Sequence, residues 1–317
     1  MKVFITRKIP SGAVKLLTAA GFAVDVFEED RGITKSEILE RGKTADALLT
    51  LLTDKIDREV IDGLANLKII SNYAVGYNNI DVKYANSKNI IVTNTPDILT
   101  HATAEIAVGL ILSCARKLYD AEKFVRERKF VGWKPELFLG TEIHGKTVGV
   151  VGAGRIGYET AKIMKAFGAR IVYFNRSEKP EFENELGAKK VSFKELLKDS
   201  DIVTFHVPLT EETYHMLNTE TMRYLKTDAI VINTARGEVI DEIALLKRLK
   251  TGKLKCAGFD VFENEPNLRE ELFNTPNVVL LPHIGSATTE ARGKMAELCA
   301  ENIISVLNGK FAVTPVL

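Results

Sequence analysis

The sequence predicts an α/β protein made of two doubly wound parallel-sheet units, one inserted in the other. Three observations carry that expectation. Short apolar strands alternate with amphipathic helices along nearly the whole chain. A strand–turn–helix run, Val148-Gly149-Val150-Val151-Gly152-Ala153-Gly154-Arg155-Ile156-Gly157, begins near the middle of the sequence. The strands fall into one set before this run and a second set that starts with it. Parallel strands need crossovers, and helical crossovers cover both faces of a sheet, so both sets are expected to be buried between helices.

In the first set the strand candidates are Lys2–Ile5, Ala23–Phe27, Ala45–Leu49, Lys68–Ser71 and Ile90–Val92, with helical patterns such as Ser11–Ala20 and Lys35–Arg41 between them. Residues from Thr100 to Lys129 read as one long helix, and a loop with the only tryptophan, Trp133, and Pro135 follows. The second set has six strand candidates: Thr147–Val151, Arg170–Phe174, Ile202–Val207, Ala229–Asn233, Lys255–Phe259 and Val278–Leu281. The last helical pattern, Thr288 to Leu307, has few strands left to join and is expected to return to the first unit. The first domain is then discontinuous, residues 1–99 and 284–317, and residues 100–283 form the second.

At 317 residues the chain can bury two cores. A net charge of +1 gives no bias toward nucleic acid or a membrane surface, and no apolar run is long enough to span a bilayer. Met1-Lys2-Val3-Phe4-Ile5-Thr6 reads as a first strand rather than a signal peptide. Cys114, Cys256 and Cys299 are odd in number and scattered, which fits a reduced, cytoplasmic protein in which each is a small buried apolar residue. His101, His144, His206 and His215 show no metal-ligand spacing, and no metal is expected.

The central run grips a dinucleotide pyrophosphate. Gly152 permits the tight turn, Gly154 lets the backbone approach the phosphates, and Gly157 lets the helix pack on the strand. Arg155 and Ile156 open the helix, whose N-terminus offers N–H groups and the positive end of its dipole. The next strand ends in Asn175-Arg176-Ser177. An acidic residue here would hydrogen-bond the ribose hydroxyls of NAD and repel a 2′-phosphate. Neutral Asn175, cationic Arg176 and the Ser177 hydroxyl instead favour NADP(H), with NAD(H) as the alternative.

Three residues past the carboxyl ends of later strands suit oxoacid reduction: Arg236, Glu265 and His283. Arg236 can hold a carboxylate and polarise the adjacent carbonyl. His283 can donate a proton to the developing alkoxide, and Glu265 can orient its imidazole. Taken singly each has a bland reading, with Glu263 and Glu265 as loop charges. Their combination within a dinucleotide fold gives them weight.

Over essentially its full length the chain resembles the D-isomer-specific 2-hydroxyacid dehydrogenases, and within them the glyoxylate/hydroxypyruvate reductases. The matching segments are Gly152–Gly157, His206–Thr210, Asn233–Gly237, Asp260–Pro266 and Pro282–Ser286, with Glu265 and His283 lying 29 and 47 residues after Arg236. The resemblance implies a Rossmann domain inserted in a flavodoxin-like substrate domain. It implies catalytic His283 and Glu265, with Arg236 binding substrate. Cofactor contacts are implied at Arg155, Ile156, Pro208, Thr213, Thr234, Ala235, Arg236, Asp260 and His283, with Asp260 meeting the nicotinamide amide. The segment Asn72–Asp81 resembles the substrate loop, where the Val75 and Gly76 N–H groups would bind the carboxylate and Leu52 would line the pocket. Gly132-Trp133-Lys134-Pro135 resembles a loop that reaches the partner subunit's active site, which implies a homodimer. The implied reaction is NADPH-dependent reduction of a small 2-oxoacid, glyoxylate to glycolate or hydroxypyruvate to D-glycerate. D-3-phosphoglycerate dehydrogenase is the enzymatic alternative, and a nucleotide-sensing binding protein of the corepressor type is the other.

Overall fold

A computed structural model describes residues 1–316, and they divide into two compact units, 1–99 with 286–316, and Thr100–Gly285. Leu317, within the expected first domain, lies outside the described residues. In chain order the first unit runs β1 (Lys2–Ile5), α1 (Gly12–Ala19), β2 (Ala23–Val26), α2 (Lys35–Gly42), β3 (Ala47–Thr50), α3 (Arg58–Gly63), β4 (Ile69–Asn72), α4 (Val82–Ser87) and β5 (Ile91–Thr93). Its five strands are all parallel, in the order β2-β1-β3-β4-β5. β3 and β4 are buried at every position, because helices cover both faces of the sheet. Phe4, Leu48, Ile56, Val60 and Ile70 form the centre of one core.

The second unit contains α5 (Thr100–Arg116), α6 (Leu118–Arg126), β6 (Thr147–Val151), α7 (Arg155–Ala166), β7 (Arg170–Phe174), α8 (Pro180–Leu186), β8 (Lys189–Lys190), α9 (Phe193–Asp199), β9 (Ile202–Phe205), β10 (Ile230–Asn233), α10 (Glu242–Lys250), β11 (Cys256–Phe259), α11 (Glu270–Asn274) and β12 (Val278–Leu280). Its sheet has the order β12-β11-β10-β9-β6-β7-β8, parallel throughout. The order reverses between β6 and β9, and the loops beyond the carboxyl ends of those strands flank the crevice where such sheets bind ligands. Two cores fill its faces, one around Val150, Tyr173 and Phe182 and the other around Phe205, Val231 and Phe259. The chain then returns to the first unit as α12 (Thr289–Leu307), which packs on α1 and β4.

Two expectations need correction. The second sheet has seven strands, not six. β8 is two lysines at the sheet edge, paired only with β7, and short charged edge strands carry no apolar pattern. The helix expected over residues 100–129 is two helices, because Lys117 takes a left-handed conformation (φ 54°) between α5 and α6. Among the described residues no helix is long and apolar enough to cross a membrane.

Candidate active site

The glycine turn begins where β6 ends. Gly152 has φ 98°, and a Cβ there would lie 2.7 Å from the His206 carbonyl carbon, so only glycine fits. A Cβ on Gly157 would lie 2.2 Å from the Gly152 carbonyl oxygen, which is why α7 can start so close to the strand. Beyond Gly154 the space is open, and Gly154, the N-cap of α7, brings no capping side chain to the helix N-terminus. An anion can therefore approach the N-terminus of α7 past Gly154. These features fit a dinucleotide pyrophosphate.

At the end of β7, Asn175 is already engaged. Its Oδ1 accepts the Ala153 N–H at 3.3 Å, and its Nδ2 donates to the Ser177 carbonyl at 3.0 Å and the Ser177 hydroxyl at 3.2 Å. The side chain ties the glycine turn to the turn that carries Arg176, whose exposed guanidinium has no carboxylate beside it at position 175. Thr213 likewise works inside its own loop, accepting the Thr210 N–H at 2.8 Å and donating to the Pro208 carbonyl at 2.6 Å. His206 is boxed between the Thr204 hydroxyl (2.9 Å) and the Thr234 hydroxyl (3.4 Å). Loss of hydration pushes its imidazole down to about 3, so it stays neutral and suits packing rather than proton transfer.

The later strand ends bring Arg236, Glu265 and His283 into one group. His283 Nδ1 lies 2.7 Å from Glu265 Oε2, with the two side chains 26% and 25% exposed. The other Glu265 oxygen accepts the Phe262 N–H at 2.8 Å, which fixes the carboxylate plane. Arg236 follows β10: Nη1 donates to the Ala235 carbonyl at 2.6 Å, and its own carbonyl accepts from Asn233 Nδ2 at 2.8 Å. Asn233 Oδ1 takes the Ala235 N–H at 3.0 Å, so one buried amide shapes the whole turn. Burial pulls the Arg236 guanidinium below its ordinary value, and the charges of Glu265 and Glu238 oppose this. Asp260, 1% exposed at the end of β11, accepts the Ile284 and Gly285 N–H groups at 2.7 Å each. Desolvation pushes its carboxyl up, against the pull of those N–H groups and of His283.

Sequence reasoning missed a buried charge cluster under the same loop. Glu263 is no loop charge: it is buried and paired with His215, and it receives Arg269 Nη2 at 2.7 Å. Its N–H donates at 2.6 Å to Glu242, which is fully buried near the start of α10. Desolvation, helped by Glu263 and Glu238, raises the Glu242 carboxyl to about 7 against the pull of Arg269 and the Glu263 N–H.

In the first unit, Leu52, Val75 and Gly76 lie in the loops that follow β3 and β4. Leu52 is 37% exposed. Among the described residues neither the Val75 nor the Gly76 N–H donates to a protein acceptor. Two adjacent unspent donors are the kind of backbone group that an anion can engage. Trp133 is 82% exposed, which rules out a core-packing role within its own chain.

A parallel sheet with an open glycine cradle at its switch point, and a histidine–carboxylate pair beside a half-buried arginine, define a dinucleotide-dependent oxidoreductase. Residues 108–285 match the family described as D-isomer specific 2-hydroxyacid dehydrogenase, NAD binding domain. The glyoxylate reductase of Thermococcus onnurineus is 50% identical over 99% of this chain and 95% of its own, and that of Pyrococcus furiosus is 50% identical over 99% and 94%. A Thermus thermophilus crystal structure superposes with a TM-score of 0.95 at 40% identity over 100% of both chains. An NADPH-dependent glyoxylate/hydroxypyruvate reductase from Sinorhizobium meliloti, solved with NADP and malonate, gives 0.88 at 31% identity over 99% and 96%. The chain belongs to the D-isomer-specific 2-hydroxyacid dehydrogenase family and is an NAD(P)-dependent oxidoreductase.

Glu242 gives a pH prediction. A carboxyl with a raised folded pKa holds an extra proton in the folded state, so its contribution to stability falls as pH climbs from about 4.5 to about 7. Glu242→Gln removes that loss. In urea unfolding, the variant should gain stability relative to wild type across this window and hold the gain above it. Parallel profiles would contradict the assignment.

Proposed function

We propose that the protein reduces small 2-oxoacids with NADPH, with glyoxylate to glycolate as its main reaction and hydroxypyruvate to D-glycerate as a second. The observation that carries this reading is the 2.7 Å contact of His283 Nδ1 with Glu265, next to the half-buried Arg236 at the carboxyl ends of the strands. Glu265 holds the proton on Nδ1 and thereby directs Nε2 to substrate. Arg236 binds the substrate carboxylate and draws density from the neighbouring carbonyl. When bound, the cofactor supplies the hydride. His283 donates its Nε2 proton to the carbonyl oxygen as negative charge develops there. The Val75 and Gly76 N–H groups take a carboxylate oxygen, and Leu52 limits the size of the substrate.

The cofactor is assigned to Gly152, Gly154, Arg155, Ile156 and Gly157 for the pyrophosphate. Pro208, Thr213, Thr234 and Ala235 line its path, and Asp260, Arg236 and His283 lie at the nicotinamide end. Arg176 and Ser177 read the 2′-phosphate while Asn175 keeps their turn in place. The NADPH dependence named for the Sinorhizobium relative supports the preference. The three cysteines are free and buried, which fits a reducing, cytoplasmic setting.

We also infer a homodimer. No residue of α6 is buried, and Leu118, Tyr119 and Val125 are exposed on it, followed by exposed Phe130, Val131 and Trp133. An apolar surface of this extent is suited to a second copy of the chain, with Trp133 reaching the partner's substrate.

The test is a panel of 2-oxoacids with NADPH and with NADH. His283→Ala should lower kcat by at least about 100-fold, while the affinity for NADPH holds; unchanged turnover would remove its role. Asn175→Asp combined with Arg176→Ala should move preference toward NADH by about tenfold or more, and a wild type that already prefers NADH would refute the cofactor assignment. Sedimentation velocity should give a dimer, and a monomer at micromolar concentration would contradict that assembly.

A further inference from the structure

The two unspent N–H groups of the first unit are useful only if they point the same way, and the chain itself does not ensure this. In a trans peptide the N–H lies opposite the carbonyl of the preceding residue, so whatever holds that carbonyl aims the donor. The Val75 N–H shares a peptide with the Ala74 carbonyl, which accepts the Thr95 N–H at 2.9 Å. The Gly76 N–H shares a peptide with the Val75 carbonyl, which accepts from Asn94 Nδ2 at 2.7 Å. Both anchors come from the two residues that follow β5. The next carbonyl, that of Gly76, is held by Asn72 Nδ2 at 2.8 Å.

Asn94 is itself braced. Its carbonyl accepts the Thr314 hydroxyl at 2.7 Å. Thr314 Oγ1 in turn accepts from Asn302 Nδ2 at 2.9 Å, and Asn302 Oδ1 takes the N–H groups of Val313 and Thr314 at 2.9 and 3.0 Å. Asn302 lies on α12 and is fully buried. A chain of polar contacts therefore runs from α12 through the C-terminal segment to Asn94 and on to the Val75–Gly76 peptide.

We infer that Asn94 is a positioning residue for 2-oxoacid binding: its side-chain amide holds the Val75 carbonyl so that the Gly76 N–H stays aimed at the substrate carboxylate. This rests on the proposed reduction of a carboxylate substrate. Asn94 acts through the backbone and touches no reacting atom. Its loss weakens substrate capture and leaves the hydride and proton steps to the second unit's residues.

The test is steady-state kinetics of Asn94→Ala with glyoxylate and NADPH, together with calorimetric binding of oxalate to the NADPH-loaded enzyme. Losing one well-aimed donor to a carboxylate should raise the KM for glyoxylate about tenfold or more and weaken oxalate to match. The kcat should stay within about threefold of wild type and the KM for NADPH should hold. Asn94→Ser, with a hydroxyl too short to span the same gap, should behave the same way and replaces the alanine variant if that one does not fold. An unchanged KM for glyoxylate, or a loss shared equally by kcat and the KM for NADPH, would overturn the positioning role while the functional reading stands. A wild type that reduces no 2-oxoacid would overturn the functional reading, and the inference with it.

Discussion

The turn that presents His283 depends on one carboxylate. His283 adopts a left-handed backbone, φ 53°, which costs a non-glycine residue about 1–2 kcal/mol. Asp260 offsets this by accepting the N–H groups of the next two residues, Ile284 and Gly285, at 2.7 Å each. Hydrogen bonds to a charged group contribute about 1.5–3 kcal/mol apiece, so the pair outweighs the strain. Burying Asp260 to do so has its own cost, visible in its raised pKa. The end of β11 thus fixes the turn after β12, and through it the imbalance between the two imidazole nitrogens: Nδ1 meets Glu265, and Nε2 is the nitrogen the proposed reaction uses.

The same logic recurs across the sheets. Side chains at or just past strand ends spend their polar atoms on nearby backbone, and the backbone then presents the groups assigned to binding. Asn233 shapes the turn that carries Arg236, Asn175 ties the glycine turn to Arg176, and Asn94 holds the Val75 carbonyl. Amides suit this work because each offers a donor and an acceptor in one plane. Glu242 and Glu263 extend the scheme below the loop that carries Glu265, where Arg269 and His215 share the buried negative charge.

Much of the architecture was legible in the sequence because it is written in local patterns. The apolar runs gave eleven of the twelve strands a clear signal, and the glycine spacing marked the turn after β6. β8 left no trace because two lysines on an edge have no burial pattern, and the break at Lys117 has no glycine or proline to announce it. Glu263 and Glu265 look equivalent in the chain, two residues apart, yet one pairs with His215 and the other with His283. Which carboxylate meets which imidazole is decided by folding over 48 and 18 residues of separation, and no local pattern encodes it. The role of Asp260 as the anchor of the His283 turn was hidden for the same reason.

The proposed proton transfer turns on Glu265 keeping a proton on His283 Nδ1, with Nε2 facing substrate. Nitrogen NMR of protein labelled at its five histidines reads this directly, with His283 assigned by its loss in His283→Ala. Nδ1 of His283 should stay protonated in both the neutral and the cationic form, and Glu265→Gln should alter this signal. A neutral His283 with its proton on Nε2 and a bare Nδ1 would contradict it.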